Sequence, residues 1–300
     1  MGELCAVCDH NPLLAEKFAG LYGVPAMTFE EVLSSDISAI AIAAPAELHY
    51  KLAYKALVTG KNIYVEKPLA LAAHEAEELC KLADHKKLIL MVGHLLQYHP
   101  AFLKLKEMVD EGKLGNVQYI YSNRLNLGKI RREESSLWSF APHDISMILS
   151  LVGEEPESIT ATGAAYLHNV LADVTMTHLR FPNGVNGHVF VSWLNPFKEQ
   201  KLVVVGSEGM AVFDDTQPWE SKVQHYDHKI DIDADGVPVL AKAAARNVKL
   251  VEEEPLRAEC KHFIDCVTTG KTPRTDGYEG LRVLKVLQAA QSALDTERLQ

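Results

Sequence analysis

Two stretches of this 300-residue sequence carry side chains able to move a proton beside a bound small molecule. In Gly60-Lys61-Asn62-Ile63-Tyr64-Val65-Glu66-Lys67-Pro68, Lys67 falls at the carboxyl end of a predicted strand, where open α/β sheets build their ligand crevice. A lysine there can hydrogen-bond a substrate hydroxyl and, as the ammonium, tune its acidity or, as the neutral amine, accept its proton as a hydride leaves the same carbon. The alternative is a solvated turn lysine. In Leu137-Trp138-Ser139-Phe140-Ala141-Pro142-His143-Asp144, Pro142 reads as the opening of a helix, with His143 in its first turn. An imidazole with an ordinary pKa of about 6.5 exchanges protons at neutral pH. Asp144 is expected to support the helix start electrostatically, and a structural capping histidine is the competing reading.

These groups need elements to hold them. Up to Gly93 the chain alternates short apolar runs with helical patterns, the signature of a parallel sheet wrapped by helices. Strands are predicted at Leu4 to Cys8, Ala39 to Ala44, Asn62 to Val65 and Leu88 to Val92, and helices at Pro12 to Leu21, His49 to Val58 and Ala72 to Ala83. Beyond Gly93 a helix from Ala101 to Glu111 leads into alternating strands at Val117 to Asn126, Val174 to Phe181 and His188 to Trp193, with Pro182-Asn183-Gly184 as a hairpin signal. Helices over Pro142 to Leu151, Leu256 to Val267 and Tyr278 to Leu294 complete the pattern, and Asp231 to Val239 reads as an exposed turn. The fold class expected is α/β: an incomplete Rossmann-like doubly wound parallel sheet in residues 1–93, then an α+β domain in 94–300 with a large, mostly antiparallel sheet, its C-terminal helices returning towards the first domain.

A dinucleotide-binding domain normally opens with a strand, a Gly-x-Gly-x-x-Gly turn and a helix whose N-terminus receives the pyrophosphate. No such turn occurs here, and the first strand pattern ends in Cys8-Asp9-His10, where an acid accepts hydrogen bonds from the adenosine ribose. Asp9 is the candidate, with a turn or helix-cap role as its alternative. Such an acid lies about 20 residues past the glycines, so a segment of that size is expected to be absent upstream, by truncation. The acid leans towards NAD, with NADP left open.

Composition narrows the partners. With 47% hydrophobic and 23% charged residues the chain is an ordinary globular one, and its net charge of -10 disfavours nucleic acid and anionic membrane as partners. No run of about 18 apolar residues and no signal peptide are evident. Cys5, Cys8, Cys80, Cys260 and Cys266 are too few and too scattered for a secreted disulfide framework, which favours the cytoplasm. Cys5 and Cys8 have no second pair downstream, so a buried strand is preferred to a metal site and no metal is expected. Large sheets with an exposed face often pair, so a homo-oligomer, dimer or tetramer, is expected.

Taken in order, Ala43-Ala44-Pro45 with His49, Glu66-Lys67-Pro68, Gly93-His94 and Pro142-His143 resemble the glucose-fructose oxidoreductase and inositol dehydrogenase family over essentially the whole chain. The resemblance implies an NAD(P)-dependent oxidoreductase in which Lys67 and His143 surround the sugar carbon that gives up hydride. It implies cofactor contacts at Ala44, Pro45, His49, Glu66, Lys67 and Trp138 beside Asp9. Arg124-Leu125-Asn126-Leu127-Gly128-Lys129-Ile130-Arg131 followed by Trp138 is similar to the nucleotide-sugar branch, the UDP-N-acetylglucosaminuronate 3-dehydrogenases. Arg124, Asn126, Lys129 and Ser139 are then substrate contacts with Lys67 and His143; a cationic, amide-bearing strand end suits a carboxylate or diphosphate, and an ordinary sheet rim is the alternative. Many relatives have an aspartate four residues before the catalytic histidine and a glycine between, where this chain has Ser139 and Ala141. Serine is no carboxylate base, so proton handling shifts to Lys67 and His143. The alternatives in function are a dehydrogenase of a free polyol such as inositol, and a non-catalytic remnant acting as an oligomerisation or binding module.

Overall fold

The structure, a computed structural model, describes residues 2–167 and 170–298. Contacts divide the chain into two compact units, 1–93 with 257–284, and 94–256 with 285–300. Within the 94–300 stretch, residues 257–284 pack with the first unit.

In the first unit the order is α1 (Pro12–Tyr22), α2 (Phe29–Ser34), β1 (Ala39–Ile42), α3 (Ala46–Val58), β2 (Asn62–Glu66), α4 (Ala73–Lys86) and β3 (Leu90–Gly93). The helices start where the sequence supplies caps. Asn11 accepts the Leu13 N–H at 3.0 Å with Pro12 in the first turn, and Thr28 with Glu31 closes a reciprocal capping box. Strands β1, β2 and β3 form a parallel sheet in that order. Ile63, Val65, Met91 and Val92 are fully buried, as strands covered on both faces must be.

The expected buried strand at Leu4 to Cys8 does not form. Only Val7 makes a parallel bridge, to Ala26, and Leu4, Cys5 and Cys8 are exposed. A strand is buried by neighbours, and among the described residues no strand joins the Val7 segment to β1. The opposite edge is closed. The Val92 N–H donates to the Thr275 carbonyl at 2.8 Å, and the Thr275 hydroxyl donates to the Val92 carbonyl at 2.7 Å. A Cβ on Gly280 would lie 2.7 Å from Val92 Cγ2, so glycine lets the helix that follows approach β3.

The second unit holds a 3-10 turn (Leu95–Tyr98), α5 (Pro100–Asp110), β4 (Val117–Leu125), α6 (Ser136–Val152), β5 (Ser158–Ala164), β6 (Val174–Arg180), β7 (Asn186–Ser192), β8 (Glu199–Gly206), β9 (Met210–Asp214), a second 3-10 turn (Trp219–Ser221), β10 (Val223–Tyr226), β11 (Lys229–Ile232), β12 (Pro238–Ala241) and β13 (Arg246–Asn247). Helices α7 (Pro255–Thr269) and α8 (Gly277–Arg298) end the chain. Eight strands make one sheet in the order β13-β10-β9-β8-β4-β7-β6-β5, antiparallel except for the β4 and β7 pair. At the predicted hairpin Gly184 has φ 86°, the left-handed conformation that glycine adopts freely. The exposed stretch at 231–239 is more ordered than a plain turn: β11 and β12 pair antiparallel, and Asp233 accepts the Asp235 and Val237 N–H groups at the tip.

Helix α6 covers one face of this sheet with Leu137, Ala141, Ile145 and Ile148, all fully buried. It begins at Ser136, so Pro142 lies inside the helix instead of opening it, and His143 is not in the first turn. One proline removes one backbone hydrogen bond, a loss outweighed here by burial of the helix on both sides of it.

Candidate active site

In the first unit the candidate groups collect where parallel strands end. Glu66 is the last residue of β2, paired in register with Gly93 at the end of β3, and Lys67 follows it, half-buried. The Tyr64 hydroxyl lies 3.1 Å from Glu66 Oε1 and 3.2 Å from Oε2 of Glu259, a fully buried carboxyl on α7. Burial, then the charges of Glu259 and Glu66, push the Tyr64 phenol far above its ordinary range, so it stays protonated and donates. Gly93 makes room for this cluster, since a Cβ there would come within 2.7 Å of the Tyr64 oxygen and 2.9 Å of Glu66 Oε2. His49, on α3, is buried with Nδ1 2.7 Å from the Pro68 carbonyl and Nε2 2.7 Å from the Ala44 carbonyl. Its ring is thus occupied by two protein carbonyls. Ala44 and Pro45 form the turn into α3, and Pro45 is exposed.

Asp9 accepts the Asn11 N–H at 2.8 Å on Oδ1, which also lies 3.2 Å from His10 Nδ1. It shapes the turn before α1, while Asn11 is the helix cap. Its carboxylate keeps lone pairs for further donors. A carboxylate of this kind can accept hydrogen bonds from ribose hydroxyls; none of the described residues supplies a glycine turn for a dinucleotide's diphosphate.

In the second unit Ser139 and His143 sit four residues apart on α6, one above the other on the same face. Ser139 is buried and His143 half-buried. Trp138 donates its indole N–H to Gln291 Oε1 on α8 at 3.1 Å. Arg124 and Ser122 alternate with outward residues on β4 and point to the α6 side. There the Arg124 guanidinium meets Asp144 through two hydrogen bonds of 2.6 and 3.1 Å, and the Ser122 hydroxyl donates to the same carboxylate. Asp144 is 1% and Arg124 12% exposed. Burial by itself would lower the Arg124 pKa, but the Asp144 carboxylate more than offsets it. Asp144 therefore does not serve the helix start, which lies two turns away; it fastens α6 to β4. The one sequence signal of this pairing is a charge at an inward-facing strand position opposite a charge on an apolar helix.

Past the end of β4, the buried Asn126 Oδ1 has no hydrogen-bond partner, and Gly128 lies so close that a Cβ would come within 2.6 Å of it. Lys129 is exposed and, among the described residues, no carboxylate pairs with it. Lys67 belongs to the first unit and His143 to the second. Among the described residues there is no group of three or more His, Cys, Asp or Glu that could hold a metal ion, and no helix is long and apolar enough to cross a membrane.

Comparison with known proteins agrees with this layout. Residues 2–94 match an oxidoreductase family with an NAD-binding Rossmann fold, and 102–212 match the C-terminal domain of the same family, GFO/IDH/MocA. Inositol 2-dehydrogenase of Rhizobium meliloti (strain 1021) is 31% identical over 177 residues, 57% of this chain and 54% of that protein. UDP-N-acetylglucosamine 3-dehydrogenase of Acidithiobacillus ferrooxidans is 25% identical over 285 residues, 95% of this chain and 87% of that protein. The solved structure of the latter superposes with a TM-score of 0.86 at 24% identity, covering 98% of this chain and 90% of the other, which supports the shared fold. With a parallel sheet whose central strand ends in Glu66-Lys67-Pro68, and a mostly antiparallel sheet covered by the helix that carries His143, each matched by its own domain of one family, this chain belongs to the GFO/IDH/MocA family of NAD-binding oxidoreductases.

Proposed function

We propose that this protein oxidises a secondary hydroxyl of a nucleotide-linked sugar, a UDP-N-acetylhexosaminuronate at C3, to the ketone. The observation that carries the nucleotide-sugar reading is the loop after β4. An unpaired Lys129 ammonium and an Asn126 carbonyl without a donor offer a cation for diphosphate or carboxylate and an acceptor for an N–H or O–H. Similarity to a UDP-N-acetylglucosamine 3-dehydrogenase over 95% of the chain supports it.

In the reaction the C–H bond at C3 breaks with its electron pair, the hydroxyl loses its proton, and a C=O bond forms. NAD, when bound, supplies the hydride acceptor. Lys67 hydrogen-bonds the reacting hydroxyl and stabilises the developing oxyanion, and His143 accepts the proton. Ser139, one helical turn before His143, is a hydrogen-bonding neighbour and not a base. Arg124 contributes through its grip on Asp144, keeping α6 in place under His143. Asp9 holds the adenosine ribose. The protein acts in the cytoplasm, consistent with five cysteines that are all free, and as a homo-oligomer paired through the sheet face opposite α6, where Tyr119, Tyr121 and His188 pack together. Nucleic acid and membrane have no part in this reading.

The test is NADH fluorescence on mixing the protein with NAD and UDP-N-acetylglucosaminuronate, UDP-N-acetylglucosamine or myo-inositol. Reduction with the UDP sugars alone is expected. Reduction with inositol alone replaces this reading with that of a polyol dehydrogenase, which the 31% identity to an inositol 2-dehydrogenase favours. Titration calorimetry separates both from a non-catalytic binding module, which gives no heat with NAD.

A further inference from the structure

His49 is 1% exposed, and its two ring nitrogens each lie 2.7 Å from a backbone carbonyl oxygen, Nδ1 from Pro68 and Nε2 from Ala44. A carbonyl oxygen only accepts. Each contact is therefore a hydrogen bond only if the nitrogen facing it bears a proton, and a neutral imidazole has one N–H while an imidazolium has two. With a single proton, one nitrogen would present its lone pair to a carbonyl lone pair at hydrogen-bond distance, in a buried place where neither finds another partner cheaply.

We propose that His49 is held as an imidazolium whose two N–H groups tie the end of β1 to the turn that follows Lys67, making His49 a positioning residue for Lys67 and not a contact of the cofactor. Ala44 is two residues past β1, and Pro68 is joined to Lys67 by one peptide bond. Fixing both carbonyls fixes the two turns at the carboxyl edge of the sheet. The elements packed on α3 are β1, β2 and α4. Ionisable groups near this end of them are Glu47 and Lys51 on α3, Glu66 and Lys67 at the end of β2, and His74, Glu75 and Glu78 on α4; β1 has none. The carboxylates of Glu66, Glu75 and Glu78 have other donors, in Tyr64, the Ala72 N–H and Tyr50. The two carbonyls are thus the groups that receive the imidazolium protons. A cation so placed is favoured by two aligned C=O dipoles, the arrangement that makes charge-assisted bonds the stronger kind.

The assignment rests on the reading of Lys67 as a group that meets substrate, but its first test does not. The 300-residue protein is labelled with 15N-histidine, and long-range 1H–15N correlations are recorded at about pH 7.5, where ordinary imidazoles are mostly neutral. Of the 13 histidines, one is expected to show both ring nitrogens protonated, and its signals should vanish in His49→Gln. A parent spectrum in which no imidazole carries two protons overturns the proposal without any variant. So does a doubly protonated ring that persists in His49→Gln. The positioning role is read from Lys67 itself, by the rate at which an amine-selective acylating reagent modifies it, mapped by mass spectrometry. A change of about threefold or more in His49→Gln is expected, and an unchanged rate overturns the role even if the protein turns nothing over. Where turnover is present, kcat should fall about 10- to 100-fold with the KM for NAD unchanged, the pattern of a misplaced reacting group. A raised KM for NAD with kcat intact would make His49 a cofactor contact instead.

Discussion

Helices α1 and α6 are both rich in apolar residues, yet only one of them is buried. In α6, Leu137, Ile145, Ile148 and Leu149 are at most 3% exposed, whereas in α1 Leu13 is 75%, Leu21 67% and Tyr22 59% exposed and only Ala15 and Ala19 are buried. What differs is the surface beneath. Helix α6 lies on β4, β6 and β7 of an eight-stranded sheet, while the segment before α1 contributes a single bridge at Val7. An apolar stripe is a demand for a partner, and the stripe alone does not say whether the demand is met.

The largest effect expected from this contrast comes from the ion pair under α6. Arg124→Leu leaves the Asp144 carboxylate buried and uncompensated and should lower stability by about 3 to 5 kcal/mol in urea unfolding, because a buried charge without its partner costs more than the pair contributes. A loss below about 1 kcal/mol would mean that Asp144 finds another donor. Next comes Ile148→Ala, which opens a cavity in a fully buried position and should cost about 2 to 5 kcal/mol by thermal unfolding. Acid supplies a third measurement. Burial opposes ionisation of Asp215, but hydrogen bonds from His99 and Lys222 and their charges prevail and hold its carboxyl down to about 2. Because the folded value lies below the unfolded one, stability from this group is complete above about pH 4 and drains away as pH falls towards 2, in total about 2 kcal/mol. Asp215→Asn should flatten that limb of the stability profile; an unaltered acid limb would show that other carboxyls set it. The smallest change is expected at α1. Leu13→Ala should shift stability by less than about 0.5 kcal/mol, and a loss as large as that of Ile148→Ala would show that α1 is covered in solution.

The same distinction explains which parts of the molecule could be read from sequence. β1, β2 and β3 are legible as continuous apolar runs between helical patterns, although only β2 and β3 are covered on both faces and Ala41 of β1 is exposed. Leu4 to Cys8 has the same texture but lacks a neighbour, and no local pattern records a neighbour. Pro142 reads in the sequence as a helix opening because that is proline's favoured position; the helix starts at Ser136 since burial of Leu137 and Ala141 outweighs the one missing hydrogen bond. The placing of Lys67 at a strand end followed from the strand itself. Asp144 and Glu259 were illegible as partners because Arg124 lies 20 residues from the one and Tyr64 195 from the other, so only the fold brings them together.

The closing of β3 by Thr275 bears on how the chain is made. Residues 257–284 belong with the first 93 but leave the ribosome after 94–256. At elongation rates of about 5–20 residues per second that interval is on the order of ten seconds. During it the Val92 amide and carbonyl lack the Thr275 groups that later satisfy them, and an unpaired strand border is what a holding chaperone or a neighbouring nascent chain would grasp.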